Sequence, residues 1–285
     1  MLSKLKTNLA NFSEMVMFKH SIFSLPFIFI AMTVASKGWF GWKLFFLGIL
    51  AAITARNFAM LVNRYLDRDI DILNPRTKDR PSVDGRISAK SILALTLLNG
   101  LGFVLVAYFI NTLAFWLSFP ILLILGGYSV FKRFSSLAHI ILGISLGLAP
   151  IAGVVAVLAE ITPWSIYLSV GVVFWVAGFD LLYSLQDIEF DKEQGLHSIP
   201  SKYGATNTMR IAKVFHTLSI VFWILFVISA NLGVFAQLAV ILSAIMLAYE
   251  HYLVNKDFTK IDRAFFTVNG YLGIMFLGLI ILEVL

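Results

Sequence analysis

Residues 63–71 read Asn-Arg-Tyr-Leu-Asp-Arg-Asp-Ile-Asp, and residues 180–191 read Asp-Leu-Leu-Tyr-Ser-Leu-Gln-Asp-Ile-Glu-Phe-Asp. Each stretch follows a long apolar run and contains a pair of aspartates spaced four residues apart. That spacing puts both carboxylates of a pair on one face of a helix. Charged side chains are costly at the edge of a membrane, so their clustering there indicates a site. The pairs are Asp67 with Asp71 and Asp187 with Asp191.

The composition indicates an integral membrane protein. Of the 285 residues, 59% are hydrophobic and only 13% are charged, whereas a soluble domain carries about 25% charged residues. Membrane spans use nearly all of the chain, which predicts one domain over residues 1–285. The absence of cysteine excludes disulfides and thiolate metal sites. A net charge of +6 could suggest nucleic acid as a partner, but we attribute it to membrane topology and expect no nucleic acid.

Apolar runs of about 20 residues predict an all-α bundle of transmembrane helices around a central cavity. We expect nine spans, near residues 20–36, 41–63, 91–110, 114–131, 136–158, 166–186, 210–230, 234–254 and 263–282.

Positive charge is distributed unevenly over the predicted loops. Nineteen of the 22 Lys and Arg residues fall on one side of the bundle, and only Lys37 and Lys43 fall on the other. The positive-inside rule places the N-terminus and the long loops 64–90 and 187–209 in the cytoplasm, and the C-terminus on the opposite side. These loops would form a cytoplasmic cap, most simply at a bacterial inner membrane. The segment 1–19 is mildly amphipathic and is expected to lie along the interface.

The two aspartate pairs are separated by the same distance along the chain. Asp67 lies 120 residues before Asp187, and Asp71 lies 120 residues before Asp191. This spacing suggests a duplicated bundle with one acidic motif in each half, although a single pair of motifs leaves that question open.

The acidic residues separate into those on a common stripe and those off it. Asn63, Asp67 and Asp71 form one stripe, and carboxylate and amide oxygens are the hard ligands that suit Mg²⁺ together with substrate phosphates. The alternative is a set of solvated helix ends paired with neighbouring Arg and Lys residues. That alternative fits the acids that lie off the stripes, such as Asp69. The second stripe consists of Asp180, Tyr183, Asp187 and Asp191.

Taken together, these motifs resemble those of the UbiA family of intramembrane prenyltransferases, in its 4-hydroxybenzoate polyprenyltransferase-like branch. The likeness extends along most of the chain and implies a nine-helix bundle with a cytoplasmic cap. Besides the aspartate motifs it rests on Phe18-Lys19-His20, Ser24-Leu25-Pro26, Arg56, Asn74-Pro75-Arg76-Thr77, Arg80-Pro81, Tyr128-x3-Lys132-Arg133-Phe134, Leu142-Gly143 and Gly195-Leu196-His197-Ser198-Ile199-Pro200.

The resemblance also implies a reaction. A polyprenyl group would pass from an allylic diphosphate to an aromatic acid in quinone biosynthesis, with charge on the leaving pyrophosphate stabilised by Mg²⁺ and basic side chains. Two Mg²⁺ ions would be held by Asn63, Asp67, Asp71, Asp187 and Asp191. The candidate diphosphate contacts are Arg76, Arg80, Lys132 and Arg133, and Tyr128 and Tyr183 could bind the diphosphate or the phenol.

Arg56 stands out because it lies within a predicted span, two helical turns from Asn63 on the same face. A buried guanidinium needs a partner, and the carboxylate of the acceptor is one candidate. The alternative is an internal pair with Asp180. His20 and His139 are expected to be structural.

The acceptor stays open between two aromatic acids. Ala138-His139 stands where ubiquinone enzymes have Pro-Gln, and residues 81–85 also depart from the common pattern. A hydroxybenzoate would lead to ubiquinone, and a naphthoate-type acid would belong to the futalosine route to menaquinone. An ion-coupled transporter and a lipid prenyltransferase with a non-aromatic acceptor are the competing functions. Prenyl chain length and oligomeric state are not readable from the sequence.

Overall fold

The computed structural model describes residues 10–17 and 25–285, and it confirms the all-α fold class. Long, predominantly apolar runs explain most of the long helices. In chain order they are α1 (Leu25–Ser36), α2 (Trp42–Leu66), α3 (Ala89–Ile110), α4 (Thr112–Gly127), α5 (Ala138–Leu158), α6 (Pro163–Tyr183), α7 (Ile199–Ser229), α8 (Val234–Lys256) and α9 (Asn269–Val284).

The membrane character of the protein is confirmed, but the count of nine spans stays a prediction. In the described part, eight helical stretches are long and apolar enough to cross a membrane, and α1 is a shorter apolar helix of 12 residues. The predicted first span began at residue 20, and residues 18–24 lie outside the described part. The interfacial segment 1–19, apart from residues 10–17, lies outside it as well.

The predicted start of α7 at residue 210 is wrong. The helix begins at Ile199 because Ser198 and Ser201 cap it reciprocally and Pro200 occupies its first turn. A break follows at Gly204, whose φ of 75° and ψ of 169° are accessible to glycine. The first turn of α7 is therefore separated from the apolar part that the sequence identified.

Helix α6 lies at the centre of the bundle, between α5 and α7. Glycines allow the close approach: a Cβ added to Gly143 on α5 would lie 2.4 Å from the carbonyl oxygen of Val173. A cluster of aromatic rings fills the core beside α6, whereas leucines such as Leu123, 77% exposed, face outward as expected for contact with lipid. The core rings include Phe27, Trp175, Trp223, Phe226 and Phe276.

The two acidic motifs have the same backbone form. Helix α2 ends at Leu66, Asp67 has φ −92° and ψ 7°, and a short helix follows at Arg68–Asp71. After α6, a 3-10 turn at Ser184–Asp187 leads to Asp187 with φ −105° and ψ 8°, and a short helix follows at Ile188–Glu193. Neither stripe therefore lies on one continuous helix. The matching breaks support the idea of duplicated halves.

The backbone hydrogen bonds between residues four apart in the first stripe are kept across the break at Asp67. The backbone N–H of Asp67 donates to the carbonyl of Asn63 at 2.9 Å, and that of Asp71 donates to the carbonyl of Asp67 at 2.7 Å. The connections that follow the two motifs contribute side chains to the walls of a cavity between them, which is described below. The cytoplasmic cap and the single domain over residues 1–285 stay predictions.

Candidate functional site

Two adjoining cavities lie beside the acidic motifs. The polar cavity, about 260 Å³ in volume, is bounded by the ends of α2 and α6, by the start of α5, by the 3-10 turn Tyr128–Arg133 that follows α4, and by the connections after α2 and α6. The apolar cavity, about 560 Å³, lies mainly among α2, α3, α4 and α5. Side chains that line both cavities form what we call the junction. They are Asn63, Arg76, Arg80, Tyr128, Leu142, Asp180 and Tyr183.

Asp67 is buried in the wall of the polar cavity, with 2% of its surface exposed. Its Oδ2 lies 2.7 Å from the Lys132 ammonium and accepts a hydrogen bond from the Asn63 amide at 2.6 Å. Its Oδ1 is buried and has no hydrogen-bond partner within residues 10–17 and 25–285. Burial raises the pKa of this carboxyl above its usual range, and the attraction of Lys132 only partly opposes the shift.

Asp71 is held by arginines. Arg80 Nη1 donates to both of its carboxylate oxygens at 2.8 Å, and Arg64 lies 4.0 Å away. Arg64 also lines the polar cavity, although from the sequence it was expected only as one of the basic neighbours of solvated acidic residues. It is 3% exposed and donates to the side-chain oxygen of Asn63 at 3.1 Å. Its position next to Asn63 in the sequence was the available signal.

The second motif meets the first across the polar cavity. Arg76 donates to Asp187 through Nε at 3.1 Å and through Nη2, and its Nη1 donates to the hydroxyl of Tyr183 at 3.1 Å. Asn74 donates to Asp187 Oδ1 at 3.3 Å. Asp191 also lines this cavity. The structure thus places in the lining of one cavity both aspartate pairs, Asn63, Arg76, Arg80, Lys132 and both tyrosines, and their roles as ligands stay predictions.

The donor set is compatible with Mg²⁺ in combination with a phosphate ligand. In the described residues, no three acidic or histidine side chains gather around one point. Mg²⁺ typically uses one or two carboxylates and completes its shell with water and substrate phosphates, so carboxylate pairs are sufficient. The unpartnered Oδ1 of Asp67 is a buried hard donor of the kind such an ion needs.

Arg56 does not pair with Asp180, so that alternative is wrong. Its guanidinium donates to the carbonyl oxygens of Val16 at 2.9 Å and Met17 at 3.0 Å, and it lines the apolar cavity. Asp180 instead contacts His139, whose Nδ1 lies 2.7 Å from Asp180 Oδ2. His139 lines the polar cavity, which the expectation of a purely structural histidine missed.

Arg133 is not among the side chains that line either cavity. It donates to both oxygens of Asp69 at 2.7 and 2.9 Å and to the carbonyl of Leu66 at 2.6 Å. Hydrogen bonds from Arg133 lower the pKa of Asp69, which is exposed outside the site. Asp69 therefore lies off the stripe as predicted. Arg133 pairs with this exposed aspartate, whereas its neighbour Lys132 pairs with the buried Asp67. The motif residues Phe18-Lys19-His20 and Ser24 lie outside the described part.

Comparison with known proteins gives a consistent family assignment. The model of the UbiA prenyltransferase family matches residues 24–280. A 4-hydroxybenzoate octaprenyltransferase from Dechloromonas aromatica is 28% identical over 254 residues, covering 88% of this chain and 85% of the relative. One from Herminiimonas arsenicoxydans is 29% identical over 257 residues, covering 90% and 89%.

Solved structures agree with this fold. The apo structure of a UbiA homolog from Aeropyrum pernix K1 has a TM-score of 0.85 at 31% identity, and the match covers 93% of this chain and 98% of that one. A UbiA homolog from Archaeoglobus fulgidus bound to DMAPP and Mg²⁺ has a TM-score of 0.77 at 19% identity, and the match covers 96% and 99%.

Proposed function

Because the chain belongs to the UbiA prenyltransferase family, we propose that it transfers a polyprenyl chain from an allylic diphosphate to an aromatic carboxylic acid in quinone biosynthesis. One observation carries the proposal: a polar cavity with facing aspartate pairs and basic side chains opens directly onto a larger apolar cavity. A prenyl diphosphate has the same two parts, a charged head and a long apolar tail.

The head would bind in the polar cavity. Two Mg²⁺ ions, held by Asn63 and the two aspartate pairs, would supply charge stabilisation to the leaving pyrophosphate. Arg76, Arg80 and Lys132 contact carboxylates at present, and each lies close enough to donate to diphosphate oxygens instead. Tyr183 and Tyr128 at the junction would contact the head where it joins the tail.

The tail would occupy the apolar cavity. This cavity reaches from Tyr128 to Ala114 along α4, which is about 20 Å at 1.5 Å per residue. Ile110 at the end of α3 and Ile161 after α5 also line it, so it approaches the opposite end of the bundle. Its walls are almost entirely aliphatic or aromatic, which suits an isoprenoid chain.

The acceptor would lie between Arg56 and the junction. The Arg56 guanidinium has no carboxylate partner among the described residues, and its present partners are neutral carbonyls, so an acceptor carboxylate would supply its counter-charge. Relatives named 4-hydroxybenzoate octaprenyltransferase favour a hydroxybenzoate. A naphthoate-type acid carries the same carboxylate and is the second candidate. The positive-inside bias supports a cytoplasmic active site.

The test uses purified protein in lipid nanodiscs with Mg²⁺, polyprenyl diphosphates and a panel of 4-hydroxybenzoate and dihydroxynaphthoates. We expect a prenylated aromatic acid and pyrophosphate, and a large loss of product with Asp67→Asn and Asp187→Asn. Asp69→Asn is the matched control and should stay near wild type, because Asp69 lies outside the polar cavity. No product with any acceptor would contradict the aromatic-acid proposal.

A further inference from the structure

Asp180 and His139 form a pair at the junction that the diphosphate site does not use. His139 Nδ1 lies 2.7 Å from Asp180 Oδ2, and the histidine is 6% exposed. The Asp180 side chain is 22% exposed and lines both cavities. Its second oxygen, Oδ1, accepts no hydrogen bond from the part of the chain that the structure describes. Asp180 therefore presents one fixed and one open oxygen to the junction.

The direction of the hydrogen bond between His139 and Asp180 follows from the surroundings of the ring. Its Nε2 is buried and has no hydrogen-bond partner among the described residues. A hydrogen on Nε2 would leave an N–H donor unsatisfied there, at a cost comparable to a lost hydrogen bond. The tautomer with its hydrogen on Nδ1 avoids that cost and donates to Asp180. His139 thus holds the Asp180 side chain in place.

The proposed reaction requires a proton acceptor at this place. The bond between prenyl C1 and the diphosphate oxygen breaks, and its electron pair leaves with pyrophosphate. A ring carbon of the acceptor supplies the electron pair for the new bond to C1. As the ring gives up that electron density, its hydroxyl hydrogen becomes strongly acidic, so a carboxylate is a sufficient base. Prenyl C1 must lie near the junction, because the head and the tail occupy the cavities on either side of it.

We propose that Asp180 is the catalytic base that takes the hydroxyl proton of the aromatic acceptor, and that His139 is the residue that positions it. The inference rests on the proposed function. Loss of the hydroxyl proton and formation of the C–C bond give a neutral dienone. Its ring hydrogen then leaves as a proton while the oxygen regains one, which restores the phenol. The proton on Asp180 leaves through the polar cavity, so one proton is released for each pyrophosphate.

Other groups at the junction do not supply an equivalent base. Tyr128 and Tyr183 are weaker acceptors than a carboxylate at neutral pH. Arg56, Arg76 and Arg80 reach the cavities from α2 and from the connection after it, and they are cations. The remaining carboxylates of the polar cavity do not line the apolar cavity. Asp180 is the acidic side chain, among the described residues, that reaches both.

The experiment measures kcat and KM for Asp180→Asn, His139→Gln and His139→Leu with 4-hydroxybenzoate and its 2-fluoro and 3-fluoro derivatives between pH 6 and 9. Asp180→Asn should lose about 10²- to 10⁴-fold in kcat, the range for a missing general base, with little change in KM for the donor. The loss should shrink for the fluorinated, more acidic phenols and as the pH rises. His139→Gln keeps an N–H donor and should recover activity relative to His139→Leu.

His251→Gln is the control, because His251 lies on α8 outside both cavities. An equal loss for all three acceptors at every pH, or no loss, would overturn the role of Asp180. If Asp180→Asn does not fold, the comparison of His139→Gln with His139→Leu decides, since a ratio independent of phenol acidity excludes positioning of a base. A wild-type enzyme without any aromatic product would instead refute the proposed function.

Discussion

Replacing Lys132 by methionine tests the coupling between the basic side chains and the metal ligands. Lys132 lies 2.7 Å from Asp67 Oδ2, and Asp67 is 2% exposed, so the ammonium is the nearest positive charge to a buried carboxylate. A hydrogen bond to a charged group contributes about 1.5–3 kcal/mol, which corresponds to about 10- to 150-fold in an equilibrium or rate constant. We expect kcat/KM for the donor to fall by a factor in that range.

The same change should make Mg²⁺ binding more sensitive to pH. Burial already raises the pKa of Asp67, and Lys132 opposes that shift, so the pKa rises further without the lysine. A carboxyl group with a raised pKa keeps its proton to a higher pH, and Mg²⁺ must then displace the proton. The Mg²⁺ concentration for half-maximal activity should therefore rise as the pH falls, more steeply in Lys132→Met than in wild type.

The assay is initial pyrophosphate release over a Mg²⁺ titration at pH 6, 7 and 8. Arg133→Met is the matched control, because Arg133 is adjacent in sequence but pairs with the exposed Asp69 and lies 3.9 Å from Asp67. We expect it to remain within a few-fold of wild type. If both variants lose activity equally, or if the pH dependence of the Mg²⁺ requirement does not change in Lys132→Met, the reasoning about Asp67 is refuted.

Three further variants test other parts of the structure. Arg56→Met should raise KM for the aromatic acid by about tenfold or more while leaving KM for the donor unchanged, because one charge-assisted contact is lost. An unchanged KM for the acceptor would contradict the role of Arg56 as the partner of the acceptor carboxylate. Ala152→Phe places a ring in the apolar cavity and should lower the kcat/KM ratio of long to short donors roughly tenfold, whereas the outward-facing Leu101→Phe should not. Asn269→Leu leaves the buried indole N–H of Trp175 and a buried carboxylate without their bonds, so thermal unfolding in detergent should show about 1–3 kcal/mol of destabilisation; an unchanged melting temperature would contradict this.

The long helices could be predicted from the sequence because a membrane span needs a continuous apolar run of fixed length. The predicted spans 41–63 and 91–110 differ from α2 and α3 by at most three residues at either end. The start of α7 was missed because it depends on a capping box at Ser198 rather than on hydropathy. The break at Asp67 was missed because the i, i+4 spacing is the same for a continuous helix and for one interrupted by a single residue.

Most members of the candidate site could be predicted, with Arg133 wrongly included and Arg64 and His139 missed, but the pairing of the side chains could not. Periodicity places Asn63, Asp67 and Asp71 on one face of a helix. Arg80 lies in a long loop without such periodicity, so the sequence does not determine which side chain it contacts. Arg80 pairs with Asp71 nine residues earlier, across the connection after α2, and His139 on α5 pairs with Asp180 on α6, 41 residues later. Such contacts follow from helix packing, which a single sequence does not encode locally.

The pairing also reconciles two interpretations that the sequence left as alternatives. The aspartates could be metal ligands or members of ordinary ion pairs, and the structure shows Asp67, Asp71 and Asp187 each with a basic partner. A buried carboxylate is very costly without a counter-charge, so a metal-dependent site needs a second set of cations while the metal is absent. Under the proposed function, these cations are also the donors for the diphosphate. The aspartates would then hold Mg²⁺ in place of their present basic partners, and those basic groups would donate to the phosphate oxygens instead. Such an exchange of one set of neutralised pairs for another would leave no buried charge uncompensated, and it would account for the acidic and basic residues that occur together on both sides of the cavity.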